Sequence, residues 1–163
     1  TRIPTFKEVV ATIPKGKRIF IEIKSDAKLV PPLIQQLRNS SLKLQQIVII
    51  SFHKDVIKAV EDKWPELKTF WLTRFKTNES GELEPAPKTV LRTLETLGTD
   101  GLSTHFEGLT SELVKSFQKA GYEYHVWTVD EIPNANALIE MGVQSITTNV
   151  PGKIGKAIRA PSK

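Results

Sequence analysis

Five stretches of the chain place apolar residues three and four apart, the stripe of a helix that buries one face. Leu33, Ile34 and Leu37 mark the first, with Pro31 and Pro32 confined to its start, where a missing N–H does no harm. Val56, Ile57 and Val60 mark the second; Leu91, Leu94 and Leu97 mark the third; Leu113, Val114 and Phe117 mark the fourth. Leu138, Ile139 and Met141 mark the fifth, and Gly98, Gly121 and Gly142 stop the last three. Ahead of them all, Thr5 and Glu8 have the spacing of a capping box. Between the helices lie β-branched and aromatic runs that predict strands over residues 18–24, 46–51, 69–73, 100–103, 122–129 and 144–148. Strand alternating with helix is the order of a parallel sheet with helical crossovers, so the expected class is α/β. Ile47-Val48-Ile49-Ile50 is apolar on both faces, as a strand covered on both sides should be. Residues 77–87, polar and bearing Pro and Gly, read as an exposed loop.

Ile19-Phe20-Ile21-Glu22-Ile23-Lys24 sends its isoleucines to one face and Phe20, Glu22 and Lys24 to the other. The strand looks buried, and buried charges must pair or bind something. Charge pattern alone leaves both outcomes open for Glu22 and Lys24. Each proposed strand ends in polar or aromatic groups: Ser51-Phe52-His53, Thr73-Arg74, Ser103-Thr104-His105, Trp127-Thr128 and Thr148-Asn149. In parallel α/β folds ligands gather at this end of the strands. One carboxylate among cationic, hydroxylic and aromatic groups suits a phosphate ester held by a Lys and a hard metal ion. The bland readings stand beside this one. His53 opens a helix as a solvated residue, His105 lies in a polar loop, His125 is structural within a strand, Trp127 suits a core, and Arg74 suits solvent.

The chain has 163 residues, 39% apolar and 25% charged, enough for one domain with a real core. Its net charge of +5 is scattered, without the basic, aromatic-rich run of a nucleic-acid binder. Cysteine is absent, which excludes disulfides and thiolate metal sites. No apolar run is long enough to span a bilayer, so stable membrane insertion is not expected, and a cytoplasmic location is. No Gly-rich phosphate loop is present.

At these residues the chain resembles the glycerophosphodiester phosphodiesterases over essentially its whole length. Ile3-Pro4-Thr5-Phe6-Lys7-Glu8-Val9 is similar to the family's "iPTleEvl" entry, and Ile21-Glu22-Ile23-Lys24 to its "iEiK" strand. Val48-Ile49-Ile50-Ser51-Phe52 is similar to "viiSsF", and Val126-Trp127-Thr128-Val129-Asp130 to "vWTVn". Residues 142–151 are similar to the closing "GvdgiiTdyP", with Asn149 in place of the commoner Asp. The resemblance implies a (β/α)8 TIM barrel, residues 1–163 forming one partial catalytic domain that covers roughly strands 3 to 8. The first two strands would lie upstream of Thr1, with both catalytic histidines and two of three metal carboxylates.

What carries over is a metal ligand onto Glu22 and a phosphate-contacting catalytic Lys onto Lys24. Phe52 and Trp127 match positions that line the substrate pocket; Ser51 and His105 are weaker candidates, His105 matching no family motif. The implied cofactor is a divalent ion, Mg2+ or Ca2+. The implied partner is a small-molecule phosphodiester, hydrolysed to sn-glycerol 3-phosphate and an alcohol. Two other readings remain: a sphingomyelinase D-like relative acting on lipid head groups, and a non-catalytic anion-binding module or degenerate barrel fragment. The leaving alcohol, native metal and oligomeric state are not readable from the sequence.

Overall fold

Helix α1, Phe6–Ala11, starts where the capping box expects it. The Glu8 amide donates to the Thr5 hydroxyl at 3.3 Å, and the Glu8 carboxylate accepts the Thr5 amide at 2.8 Å. The computed structural model describes residues 2–158. After α1 come strand β1 Ile19–Glu22, helix α2 Val30–Arg38, β2 Ile47–Ser51, α3 Lys54–Lys63 and β3 Lys68–Thr73. The hairpin β4 Lys76–Thr77 and β5 Leu83–Glu84 follows, then α4 Pro87–Leu97, β6 Gly101–His105 and α5 Ser111–Lys119. The order closes with β7 Glu123–Trp127, α6 Ile132–Met141, β8 Ser145–Ile146 and α7 Pro151–Ala157. Among the described residues, no helix is long and apolar enough to cross a membrane.

The chain separates into two units. Unit 1 runs to Trp71 and takes in Leu97–Thr99. Its strands pair in parallel, β1 with β2 from Ile19↔Ile47 to Glu22↔Ile50, and β2 with β3 from Val48↔Lys68 to Ser51↔Trp71. The core of this unit joins Ile23 to Val30, Leu33, Ile34 and Leu37 of α2, Ile47 and Ile49 of β2, and Val56 and Val60 of α3. The stripes expected for α2 and α3 are therefore the buried ones. A small polar knot sits beneath: the Thr99 hydroxyl donates to the Thr69 carbonyl at 2.8 Å, and the Thr69 hydroxyl reaches Glu61.

Unit 2 holds Leu72–Thr96 and the chain from Asp100 onward. Here β6 pairs in parallel with β7 from Gly101↔Glu123 to His105↔Trp127, and β7 with β8. Aromatic rings fill its centre. Phe117 lies 6.2 Å from Phe75 and 5.6 Å, edge-on, from the fully buried Tyr124. The Tyr124 hydroxyl is 3.1 Å from that of Thr104, and burial pushes the phenol's pKa up.

Several expectations are corrected. The face carrying Phe20, Glu22 and Lys24 is exposed, not buried: Phe20 is 43% accessible and the Lys24 side chain 78%. The helices pack only on the isoleucine face, so the pair keeps its water and the desolvation argument does not apply. Residues 77–87 are exposed in the main but not structureless. Lys76 and Thr77 pair antiparallel with Glu84 and Leu83. Asn78 forms the turn by accepting the amides of Ser80 and Glu82 at 3.0 and 2.9 Å.

The buried face of α4 is Val90, Leu94 and Leu97, with Leu91 half-exposed. In α6 it is Ala135 and Leu138, with Ile139 43% exposed. Leu94, Leu97 and Leu138 are buried as expected; Val90 takes the place of Leu91, and Ala135 that of Ile139. Strand β6 runs on to His105, two residues past its expected end, because its pairing with β7 continues to Trp127. His105 therefore closes a strand instead of lying in a loop.

Candidate active site

In unit 1 the register sets Lys24 beside the Ser51–Phe52 end of β2. The Ile23 amide donates to the Ile50 carbonyl at 3.0 Å, and the buried Ser51 hydroxyl donates to the Ile23 carbonyl at 2.6 Å. That hydroxyl also accepts the His53 amide at 3.1 Å. Ser51 thus ties the end of β1 to the turn into α3, and its oxygen is engaged in structure. His53 caps α3 without a side-chain cap bond and faces solvent.

Lys24 Nζ stands 3.6 Å from Glu22 Oε2, with the Glu22 side chain 31% accessible. Exposed pairs of this kind contribute about 1 kcal/mol or less to stability, so fold stability alone does not account for the arrangement. Phe52 is half-exposed, and its carbonyl accepts the Trp71 indole N–H at 3.2 Å. Lys54 Nζ lies 4.8 Å from the Trp71 ring centre. Unit 1 therefore presents a carboxylate, two lysines and an exposed aromatic ring around the C-terminal ends of β1 and β2.

In unit 2 the corresponding strand ends carry His105 and Trp127, cross-strand partners with ring centres 5.3 Å apart, edge to face. Arg74 follows β3 and holds its guanidinium 6.0 Å from the centre of the Trp127 ring. Sequence reasoning noted Arg74 at the strand end and gave it no role; its place against Trp127 depends on tertiary packing. Burial, followed by the Arg74 charge, lowers the pKa of His105, with Glu107 opposing. The Glu107 amide donates to His105 Nδ1 at 3.4 Å. The Glu107 carboxylate, 3.4 Å from the same nitrogen, pairs with it only if the ring is protonated. In the neutral ring the two contacts ask for opposite tautomers, the amide for a bare Nδ1 and the carboxylate for Nδ1–H. His125 is structural as expected, its Nδ1 2.7 Å from the Ser145 hydroxyl.

Asp130 supplies a clamp at the end of the unit. It accepts the Thr148 hydroxyl at 2.8 Å, the Asn149 amide at 2.8 Å and the Asn149 side-chain NH2 at 2.9 Å. These bonds, led by Asn149, hold the Asp130 carboxyl below its ordinary range. The departure at Asn149 now has a reason. The motifs it resembles read Asn at position 130 and Asp at position 149, and this chain reads Asp130 and Asn149. An Asn and an Asp stand at the two positions in either reading, and here the Asn donates to the Asp. Asn149→Asp is expected to lower Tm by several degrees by setting two carboxylates together, and Asp130→Asn on top of it to restore most of the loss. Because the folded pKa of Asp130 is depressed, the clamp's contribution is present at neutral pH and is lost as pH falls through that folded value. A double swap that melts no higher than Asn149→Asp alone would refute the exchange.

Among the described residues, no group of three or more His, Cys, Asp or Glu is placed to hold a metal ion. Glu22 is one hard-oxygen donor; a divalent ion of the Mg2+ or Ca2+ kind takes six or more oxygens, so this chain's described residues do not make such a site by themselves.

Residues 1–153 match the model of the glycerophosphoryl diester phosphodiesterase family. The chain is 26% identical over 158 residues to a glycerophosphodiester phosphodiesterase of Bacillus subtilis, covering 92% of this chain and 52% of the relative. It is 28% identical over 165 residues to one from Caldanaerobacter subterraneus, covering 97% of this chain and 63% of the relative. It thus spans between half and two-thirds of the curated relatives' length.

Among solved structures, a glycerophosphodiester phosphodiesterase from Parabacteroides distasonis is 28% identical with a TM-score of 0.65, over 87% of this chain and 57% of that one. An Oleispira antarctica phosphodiesterase in complex with the product sn-glycerol-3-phosphate is 19% identical with a TM-score of 0.69, over 82% and 50%. An enzyme from Thermotoga maritima is 18% identical with a TM-score of 0.72, over 94% and 63%. The fold class is α/β, a partial barrel of the phosphodiesterase (β/α)8 type. The chain belongs to the glycerophosphoryl diester phosphodiesterase family.

Proposed function

We propose that the protein carrying this chain hydrolyses glycerophosphodiesters to sn-glycerol 3-phosphate and an alcohol, with the help of a divalent metal ion. The observation that carries this is the solvent-open Glu22–Lys24 pair at the C-terminal end of β1, in a chain matched by the family over residues 1–153. In the net reaction the oxygen of water joins phosphorus. The phosphorus–oxygen bond to the alcohol breaks, and the alcohol leaves with a proton.

Lys24, an exposed ammonium, suits a phosphoryl oxygen on which negative charge develops. Glu22 can give one oxygen to a metal, and ligands beyond this chain's described residues would complete the coordination; a metal so held polarises the phosphoryl group. The same exposure that makes the pair nearly worthless for stability leaves both heads free to bind. Phe52, directly after β2, supplies an exposed apolar ring in unit 1, and Trp127 a half-buried one in unit 2. The proton transfers of the reaction suit histidine, whose ordinary pKa lies near neutral pH.

The reading supports a small-molecule phosphodiester as partner, and the product held by the Oleispira antarctica enzyme is of the expected kind. The test uses the protein at its full natural length, with Mg2+ or Ca2+ and sn-glycero-3-phosphocholine, -ethanolamine, -glycerol and -inositol. Release of sn-glycerol 3-phosphate, read by a coupled dehydrogenase and abolished by EDTA, is the expected result. Failure to release it from all four diesters would overturn the proposal.

A further inference from the structure

Phe52 is 49% exposed, yet the peptide that follows it is fixed at both of its polar ends. The Phe52 carbonyl accepts the Trp71 indole N–H at 3.2 Å, and the His53 amide donates to the Ser51 hydroxyl at 3.1 Å. Both anchoring side chains are buried, Ser51 completely and Trp71 to 6%. On the other side of Phe52, Ser51 is paired with Trp71 in the β2–β3 ladder. The main chain around Phe52 is therefore set within unit 1, and the ring keeps only its own side-chain torsions.

A turn from strand to helix does not require this. Water can satisfy a carbonyl at an exposed turn, and a buried indole N–H needs only some acceptor within reach. Ser51 shows that more than an indole is served. The hydroxyl that holds the His53 amide also donates to the Ile23 carbonyl at 2.6 Å, in the peptide that leads into Lys24. One buried oxygen thus joins the peptide before Lys24 to the peptide after Phe52. Trp71 closes the same mount from β3, and Lys54 covers its ring from the first turn of α3, with Nζ 4.8 Å from the ring centre. An exposed ammonium and a half-exposed aromatic ring are held on main chain that three side chains tie together.

We propose that Trp71 is a positioning residue for the diester. Through the Phe52 carbonyl it holds the Phe52 ring in place beside Lys24, so that a substrate with its phosphoryl group on Lys24 lays its glycerol carbons against the ring. The inference rests on the hydrolase reading for its substrate, and on the hydrogen bonds of unit 1 for the coupling of Trp71 to Phe52. A ring against the glycerol carbons touches no reacting bond, so it binds substrate and transition state alike and shows in KM, not in kcat.

The test is a double-mutant cycle in the protein at its full natural length, on KM and kcat for a diester it turns over. Trp71→Phe keeps an aromatic ring in the core and removes the N–H. It is expected to raise KM about fivefold, with kcat within about twofold of the parent. Phe52→Ala is expected to raise KM about tenfold, and Trp71→Phe added to it to change KM by less than about twofold, since the ring it positions is gone. Benzothienylalanine in place of Trp71 has the shape of tryptophan and no N–H. It should reproduce Trp71→Phe, and it carries the cycle if that variant does not fold. An effect of equal size in both Phe52 backgrounds, an unchanged KM without the N–H, or a loss confined to kcat overturns the proposal. If the parent hydrolyses no diester, the hydrolase reading falls, and the same cycle is read as calorimetric affinity for sn-glycerol 3-phosphate. Affinity that drops without the N–H, but not in the Phe52→Ala background, supports the role of Trp71. An equal drop in both, no drop, or no binding at all overturns it as well.

Discussion

Glu22→Gln is expected to lower diester hydrolysis by the full-length protein at least about 100-fold, more than the loss usual for a residue that merely orients a metal ligand. The exchange keeps the side chain's size and removes its charge. Glu22 is open to solvent at the end of β1, and its one ion pair is to the still more exposed Lys24. Fold stability should therefore barely move, with Tm within about 1 °C of the parent. The informative readout is the Mg2+ concentration for half-maximal activity, which should rise at least about tenfold, since an amide oxygen is a poorer ligand for a hard cation than a carboxylate. Unchanged turnover and unchanged metal requirement would remove Glu22 from the metal site and leave the pair as a surface salt bridge. Lys24→Met separates the roles: loss of turnover with the metal requirement intact is the mark of a phosphate contact, not of a ligand.

Gly101→Ala is expected to destabilise the fold by about 3 kcal/mol, at the top of the range for overpacking. A methyl group at this position would lie 2.2 Å from the Glu123 carbonyl oxygen and 2.8 Å from the Glu123 amide nitrogen. Both are main-chain atoms held in the β6–β7 ladder, so neither can swing aside as a side-chain tip could. The strain falls at the first pair of the ladder, Gly101↔Glu123, whose far end is the His105↔Trp127 pair. Urea unfolding should show a lower midpoint, and the emission of Trp127 should change with it. A midpoint equal to that of the parent would mean that β6 can slide on β7, and would undercut the register that brings His105 to Trp127. Gly108, with φ +74° and no neighbour within 4 Å of a built Cβ, answers to its backbone conformation and makes the contrast.

Much of this was legible in the residues. The strand–helix alternation, the buried faces of α2, α3 and α5, and the doubly covered β2 follow from local spacing, because helix and strand periods are properties of the chain itself. The capping box at Thr5 and Glu8 is local in the same way. The Glu22–Lys24 pair was visible as an acid and a base on one face, and motif order tied it to a family. Its burial was misjudged: period two says which residues share a face, but not whether anything covers it. The hairpin after β3 was missed because its strands are two residues each, too short for any period to show.

What only the tertiary structure decided is where unlike residues from distant segments meet. Ser51 reads as a candidate at a strand end, and the fold spends its hydroxyl on the Ile23 carbonyl at 2.6 Å. Asn149 reads as a departure from a motif, and the fold shows it donating to Asp130 across 19 residues. Arg74 reads as one more solvated cation, and the fold lays it against Trp127 in a cleft. Sequence determined the longer helices and strands, the face that Glu22 and Lys24 share, and the family, because propensity, period and motif order act over a few residues at a time. The grouping of Arg74, His105 and Trp127 came from segments that only parallel pairing and close packing bring within reach of one another.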